Sequence, residues 1–570
     1  PIVYDEFGRQ EYQLLPYQSN TTTGEFRSNP NMDNYHGTAS EHKTFYSNSS
    51  NDVVSDAYPF SKTVYDNSPL NRVMEQGAPG ASWQPSNHSI IYEYGTNIAN
   101  DVCLMWTEDA TGNLRIGKSI NGIHSKYYPA NELYKKVVKD ENWEVGQDIL
   151  LLNTTEEYTD KEGKVILKRT FVEKSSGYDK VETYYVYDSF GLLRYVISPK
   201  ASIYFRAVHL TSFTSENDYI THSCYYYEYD GRKRMVMKQI PGTLHRVYMV
   251  YDKRDRLVLT QDGNQRANIG PKWSFTKYDQ LNRPIQTGEL TMSKAYDQPG
   301  MQQYMDSVMH NRTMHESRTN SYTNYYYSNT GFPNSSDGII NYLTITYYDS
   351  YPTTPSFSVQ HNISDYRESD ATPYYFNGLK GLVTRKMVRG ISPDGNSSFI
   401  TTNYFYDDRY RVIQSIEKPD FNTTEIFSYK YDFSGQTVQT RQFLSFNSEE
   451  VAINKYFTYD HVGRLLTVEQ QIEGDDVNGR VIVSKHEYNQ LGQLKRKQLH
   501  KTVDMSGFLQ SIDYEYNIRS WLTAINNPDA PGNDLFSMRL HYNSLPDLVH
   551  SQPNYPIQYN GNITAQTWNN

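Results

Sequence analysis

Asp460, His461 and Arg464 fall within five residues of one another in "YDHVGRLLTVEQQ" (459–471). A carboxylate, an imidazole and a guanidinium this close are the groups of general acid–base chemistry on a charged substrate. Nine further copies of the stretch remove that reading. Where His461 stands, they carry Glu6, Ser189, Lys253, Gln280, Asp408 or Phe433, among others. The imidazole is therefore outside the pattern.

What recurs is a Tyr-Asp or Tyr-Asn pair, a turn residue four positions after the Tyr, and a return segment opened by Arg or an apolar run. The positions are Tyr4, Asp5, Gly8 and Arg9, then Tyr187, Asp188 and Gly191, then Tyr229 with Asp230 and Tyr251 with Asp252. Tyr278 with Asp279, Tyr406 with Asp407, and Tyr431, Asp432 and Gly435 continue the series. Tyr459, Asp460, Gly463 and Arg464, then Tyr488 with Gly492, then Tyr516 complete it.

Turn chemistry accounts for each of these types. Residues before each Tyr alternate, as in "KYFTYD" (455–460), which suits a strand with one face inward. The Asp carboxylate accepts backbone N–H groups at the turn start. Gly adopts the positive φ that a type I turn closed by a bulge requires, and Arg opens the return strand. Asn282 and Asp255 are the next best residues at that position, whereas Lys233 and Tyr410 are poor ones. Those two turns must differ or carry strain. Each Arg is placed to cover a neighbouring Tyr or to pair with the Asp. A β-hairpin is the element that positions all of them, and an Asp in every hairpin is structural, not a set of catalytic acids.

Composition agrees with thin sheets. The 570 residues include 53 Tyr against 22 Phe and 6 Trp, with 37% hydrophobic residues and a mean hydropathy of −0.75. That is too polar for one thick core and too aromatic for disorder. Tyr-to-Tyr spacing from 406 to 516 is 25 to 29 residues, about two strands and two turns. The net charge of −10, with the signs interspersed, excludes the basic stripe of a nucleic-acid binder. No apolar run reaches membrane-spanning length. Cys103 and Cys224 form no C-x-x-C pair, so neither zinc site nor disulfide framework is indicated; they read as two buried thiols, with one long-range disulfide as the alternative. No phosphate-loop, nucleophile-elbow or metalloprotease motif occurs, so no catalytic, metal or cofactor residue is assigned.

Along the chain, 1–60 reads as one hairpin and a polar connection, "QSNTTTGEFRSNPNMDNYHGTASEHKTFYSNSSND" (18–52). Residues 61–293 form a densely stranded first part, including hairpins at 63–73, 107–116 and 159–169. Residues 294–340 break the rhythm with a helix after Pro299-Gly300, whose Met301, Met305 and Met309 stripe reads as core packing. Residues 341–570 form the second part, ending in a further strand near 556–568. A first residue of Pro, with no signal peptide in view, leads to the expectation that this is part of a longer product.

The recurring Y-D-x-x-G-R unit resembles that of the RHS/YD-repeat family over essentially the whole chain. A finer resemblance is to RHS proteins of Bacteroidota, carried by "SPLNRVMEQGAPG" (68–80), "YYVYDSFGLLRYVISP" (184–199), "YYEYDGRKRMVMKQIPG" (226–242), "WSFTKYDQLNRPIQTG" (273–288) and "DYEYNIRSWLTAIN" (513–526). The resemblance implies an all-β fold in which repeated hairpins form a long spiralling sheet around a hollow shell, interrupted by one short helical insertion. It implies an enclosed C-terminal toxin or effector passenger and export across the outer membrane to the cell surface or medium by a type IX or related machinery. The aspartate-dependent self-cleaving D-P-x-G segment of such proteins has no counterpart here; "NPDAPGND" (527–534) is only superficially similar.

Two functions compete. One is a non-enzymatic shell that carries or shields a passenger for delivery or interbacterial competition. The other is a surface adhesin that stacks exposed Tyr and Trp on glycans. A β-propeller hydrolase is disfavoured, because one hairpin per unit is not a four-stranded blade.

Overall fold

In the computed structural model the described residues are 2–18, 41–48, 52–352 and 378–569. Within these spans the stretches 108–111, 121–122, 208–211, 244–245, 392–396, 419–422, 476–478, 503–504 and 547–556 and residues 148, 150 and 448 are excepted. Thirty strands pair antiparallel into one sheet, almost always each with its neighbour in sequence. Longer skips occur where Ile90–Thr96 pairs directly with Tyr134–Lys139, Leu193–Ile197 with Cys224–Tyr229 and Pro284–Thr291 with Ile339–Tyr348. The sheet is a strip whose ladder is not closed.

Alternating patterns in the sequence become alternating burial. Thr154–Thr159 and Lys272–Tyr278 bury every second residue. Residues paired across an antiparallel ladder share a face, so the register carries one face from strand to strand. Tyr158, Leu167, Tyr184 and Ile197 lie on it in succession, and Leu259, Phe275, Ile345 and Met387 belong to the same face further along.

Two covers pack on that face. Over the first, residues 97–133 form small strands at Met105–Thr107 and Leu114–Ile116, joined by helices Pro199–Ala207 and Asp218–Ser223. They supply Val102, Leu114, Phe205 and Ile220 to a core with Tyr158, Tyr184, Tyr195 and Tyr226. Over the second, helix Gln298–Val308 and the coil after it bring Met301, Met305, Met309, Tyr327 and Phe332 onto Trp273, Phe275 and Tyr347.

The Met stripe is thus core. The first cover sits in a region read from sequence as densely stranded; the hairpin signal at 107–116 matches the pairing of Met105–Thr107 with Leu114–Ile116, but nothing local placed that pair in a separate layer. The polar connection also differs from its reading where it is described. Glu41–Ser47 is a short helix that buries His42, Phe45 and Tyr46. Its earlier part lies outside the described residues. The last strand is Ala565–Asn569. Cys103 and Cys224 are both free and buried.

Candidate functional site

Every Tyr-Asp turn lies on the same rim of the strip, because each follows an odd number of reversals from the last. At Tyr459 the Asp460 N–H donates to the Arg464 carbonyl (2.9 Å) and the Gly463 N–H to the Asp460 carbonyl (3.0 Å). One Asp460 carboxylate oxygen accepts the N–H groups of Val462 (3.0 Å) and Arg464 (2.9 Å), and the other accepts Arg464 Nε (2.6 Å). Desolvation raises the Asp460 carboxyl and is outweighed by these donors, so it sits below the ordinary value. The same Nε–carboxylate contact joins Asp5 to Arg9, Asp66 to Arg72, Asp230 to Arg234, Asp252 to Arg256, Asp279 to Arg283 and Asp407 to Arg411 at 2.7–2.8 Å.

The clamp also reaches the next hairpin. Arg9 lies over Tyr65, Arg234 over Tyr251, Arg256 over Tyr278, Arg411 over Tyr431 and Arg464 over Tyr488, 4.6–4.9 Å from the ring centres. Eight Tyr residues of the repeated motif, covered by an Arg or not, donate their hydroxyls to a carbonyl of the preceding hairpin's return strand. Tyr229 reaches Leu193, Tyr251 Met235, Tyr278 Leu257, Tyr406 Val383, Tyr431 Val412, Tyr459 Thr437, Tyr488 Leu465 and Tyr516 Leu494, all at 2.7–3.0 Å. Arg therefore does both things expected of it at once. Tyr187 lies under Lys164 instead, 5.9 Å from the amine, and Tyr4, on the first strand of the strip, is exposed.

At the left-handed position Gly8, Gly191, Gly435, Gly463 and Gly492 have φ between 74° and 94°. Lys233 (64°) and Tyr410 (63°) adopt it too, so these two turns keep the common shape and carry the strain.

Beneath the first cover is a buried charge cluster that the sequence reading missed. Arg169 donates to Glu182 (2.7 Å), Glu156 (2.8 Å) and Asp101 (2.9 Å), and Arg206 of the helix pairs with Glu182. Tyr158 donates to Asp101 (2.7 Å). Glu156, Arg169 and Glu182 face one another across three strands. Their signal was present: "TTEEYT" and "VILKRTF" each put one charged residue on an otherwise uncharged face.

The strip meets itself at a seam. Trp83 donates its indole N–H to the Tyr559 carbonyl (2.8 Å) and meets Trp521 edge-on at 5.9 Å. His88 stacks on Tyr559, Asn142 bonds Gln558 (2.7 Å) and the Tyr559 N–H, Glu141 pairs with Arg519 (3.4 Å), and Asp52 with Lys495 (2.7 Å). Arg519 lies 4.3 Å from the Trp521 ring and 5.3 Å from that of Trp83. Residues 52–59, 78–88 and 140–142 belong to the rim opposite the Tyr-Asp turns, whereas 489–495, 517–521 and 558–560 belong to the Tyr-Asp rim. Opposite rims in contact make a spiral, not a ring. A cleft of about 570 Å³ lies along the seam between Asp52–Val54 and the Asn489 to Asn517 region.

Between the 78–83 loop and the 517–521 turn the ladder runs through 23 strands, six from Ile90–Thr96 to Leu193–Ile197 and seventeen from Cys224–Tyr229 to Gln510–Tyr516. At about 4.8 Å per strand the circuit is about 110 Å, about 35 Å across if circular. Among the described residues no cluster of His, Cys, Asp and Glu has the arrangement of a metal site, and no helix is long and apolar enough to cross a membrane.

A family model described as a domain of unknown function (DUF6443) matches residues 1–96. No curated protein matches. Among the solved structures that match is one described as "Crystal Structure of TcdB2-TccC3 without hypervariable C-terminal region". The identity is 12% and the TM-score 0.44, over 85% of this chain and 21% of that one, so this chain spans about a fifth of that chain's length.

Proposed function

We propose that this chain is one circuit of the wall of an RHS-type shell, a non-enzymatic container for a polypeptide passenger, exported to the cell surface or the medium. One observation carries the reading: the rim-to-rim seam, which turns a 30-strand strip into a spiral. A strip that only stacked hairpins would have no reason to bring Trp83 against Trp521. A wall that hides its first strands and must enclose a volume does.

The dimensions select the passenger. With side chains taking about 5 Å from each wall, a circular circuit about 35 Å across leaves about 25 Å. A folded 100-residue domain, with a radius of gyration of about 13 Å, needs more. The passenger that fits is an extended or partly unfolded chain. The walls supply Tyr rings and polar strand faces, which contact any sequence without selecting one.

Small-angle scattering and cryo-electron microscopy of the chain test the proposal. The expected result is a hollow, curved wall with the seam residues in contact. A filled particle, or a flat sheet with Trp83 far from Trp521, overturns it.

A further inference from the structure

Lys277 breaks the pattern of its own strand. In "KWSFTKY" (272–278) the buried positions are Trp273, Phe275 and Lys277, and the face they share is packed by the Met-rich cover. Lys277 is 2% exposed, and its amine is enclosed with two groups from that cover. Nζ lies 2.8 Å from Glu316 Oε1 and 3.0 Å from Asn329 Oδ1. The side chains of both Lys277 and Glu316 are 1% exposed.

Glu316 is held still. Its oxygens also accept the Ser328 hydroxyl (2.6 Å) and the backbone N–H groups of Thr330 and Gly331 (both 3.1 Å). A buried amine in contact with both a fixed carboxylate and a carboxamide brings together the three parts of an acyl transfer from amide to amine.

The geometry points to a covalent crosslink between the Lys277 amine and the Asn329 side chain, formed within the folded chain with Glu316 carrying the proton. The ammonium first gives a proton to the Glu316 carboxylate. The freed lone pair attacks Asn329 Cγ, the new C–N bond forms, and the former carboxamide nitrogen leaves. Glu316 supplies the proton that the leaving nitrogen takes and accepts the one that Nζ sheds. The products are a secondary amide, one ammonia and a neutral Glu316, with no change in oxidation state.

Burial favours the first step by pulling the Lys277 ammonium toward the neutral amine, against the Glu316 charge that opposes it. A cavity of about 20 Å³, lined by Lys277, Glu316, Gly331, Met305 and Phe332, adjoins the site. That is room for one molecule the size of water or ammonia. The crosslink closes a 52-residue span and staples the cover to the strip.

Mass spectrometry of the purified chain tests this. The expected intact mass is below the sequence mass by one ammonia. Trypsin on the denatured chain should leave 273–294 uncut after Lys277, Arg283 being shielded by Pro284, and joined to the peptide that carries Asn329. Asn329→Asp should crosslink with loss of water instead, and Glu316→Gln should fold, by circular dichroism, with Lys277 free. Wild-type protein at full mass and cut after Lys277 overturns the proposal, whatever the variants do. A crosslink that survives Glu316→Gln overturns the role of Glu316.

Discussion

At the scale of single residues, the turn position after each Asp is where the fold stores strain. Tyr410 holds φ 63° in the shape that Gly435 holds at 94°. The left-handed region costs a side-chain-bearing residue about 1–2 kcal/mol, and less for Asn. Tyr410→Asn should therefore stabilise its hairpin by up to about 1 kcal/mol, and Gly435→Ala should destabilise its own by a similar amount. Hydrogen exchange at 406–412 and 431–437 should slow in the first case and quicken in the second. The acid of the turn gives a pH test. The Ser68 hydroxyl and the Arg72 guanidinium hold Asp66 at about 2 against an ordinary 3.8. A carboxyl lowered on folding stabilises above its ordinary value, and that contribution is lost as pH falls from there through the folded value. The 66–72 turn should stay closed at pH 5 and fray between about pH 4 and 2, with Ser68→Ala moving fraying to higher pH. Exchange at pH 5 and pH 2.5 checks both.

At the scale of elements, hairpins and covers differ in what makes them legible. A Tyr-Asp turn is written within six residues, since the Asp cap, the left-handed residue and the Arg all act locally, and the sequence shows it ten times. Even the Arg-over-Tyr contact was foreseeable, because strand pairing in register fixes which Tyr lies beside which Arg. The covers were not, apart from the Met helix with its 3.6-residue stripe and the hairpin signal at 107–116. Residues 97–133 and 199–223 make short elements whose stability comes from the face they sit on, and no local pattern announces a partner 50 residues away. The charge cluster shows the same limit: Arg169 and Glu182 are each ordinary in sequence and unusual only once buried together. Removing one partner of such a cluster leaves the others buried and unpaired, at a cost of about 3–5 kcal/mol. Arg169→Met should loosen the first cover, raising exchange across 97–133 while leaving 397–501 unchanged. Equal protection in the wild-type chain and in Arg169→Met would mean that the cluster contributes nothing to holding the cover.

At the scale of the whole molecule, the seam is the feature that no stretch of sequence contains. Trp83 and Tyr559 are 476 residues apart, and their contact depends on the summed twist and curl of 23 intervening strands. Such a sum is over-determined in the middle and free at the ends, so the seam need only be strong enough to hold ends that already lie close. Its chemistry fits that task. An indole N–H bonds a carbonyl, two rings meet edge-on, and an Arg lies against both rings while pairing with Glu141. Trp83 is 4% exposed, and losing a ring so buried costs about 3–5 kcal/mol. Little of that loss should reach the strip, because each hairpin is clamped to its neighbours and not to the seam. Trp83→Ala should therefore open the spiral without unfolding it: a larger radius of gyration by scattering, faster exchange at both 78–88 and 558–560, and unchanged exchange from 224 to 291. If exchange instead rises evenly along the strip, the seam is what holds the sheet together. If neither end responds, the two rims touch without holding the circuit closed.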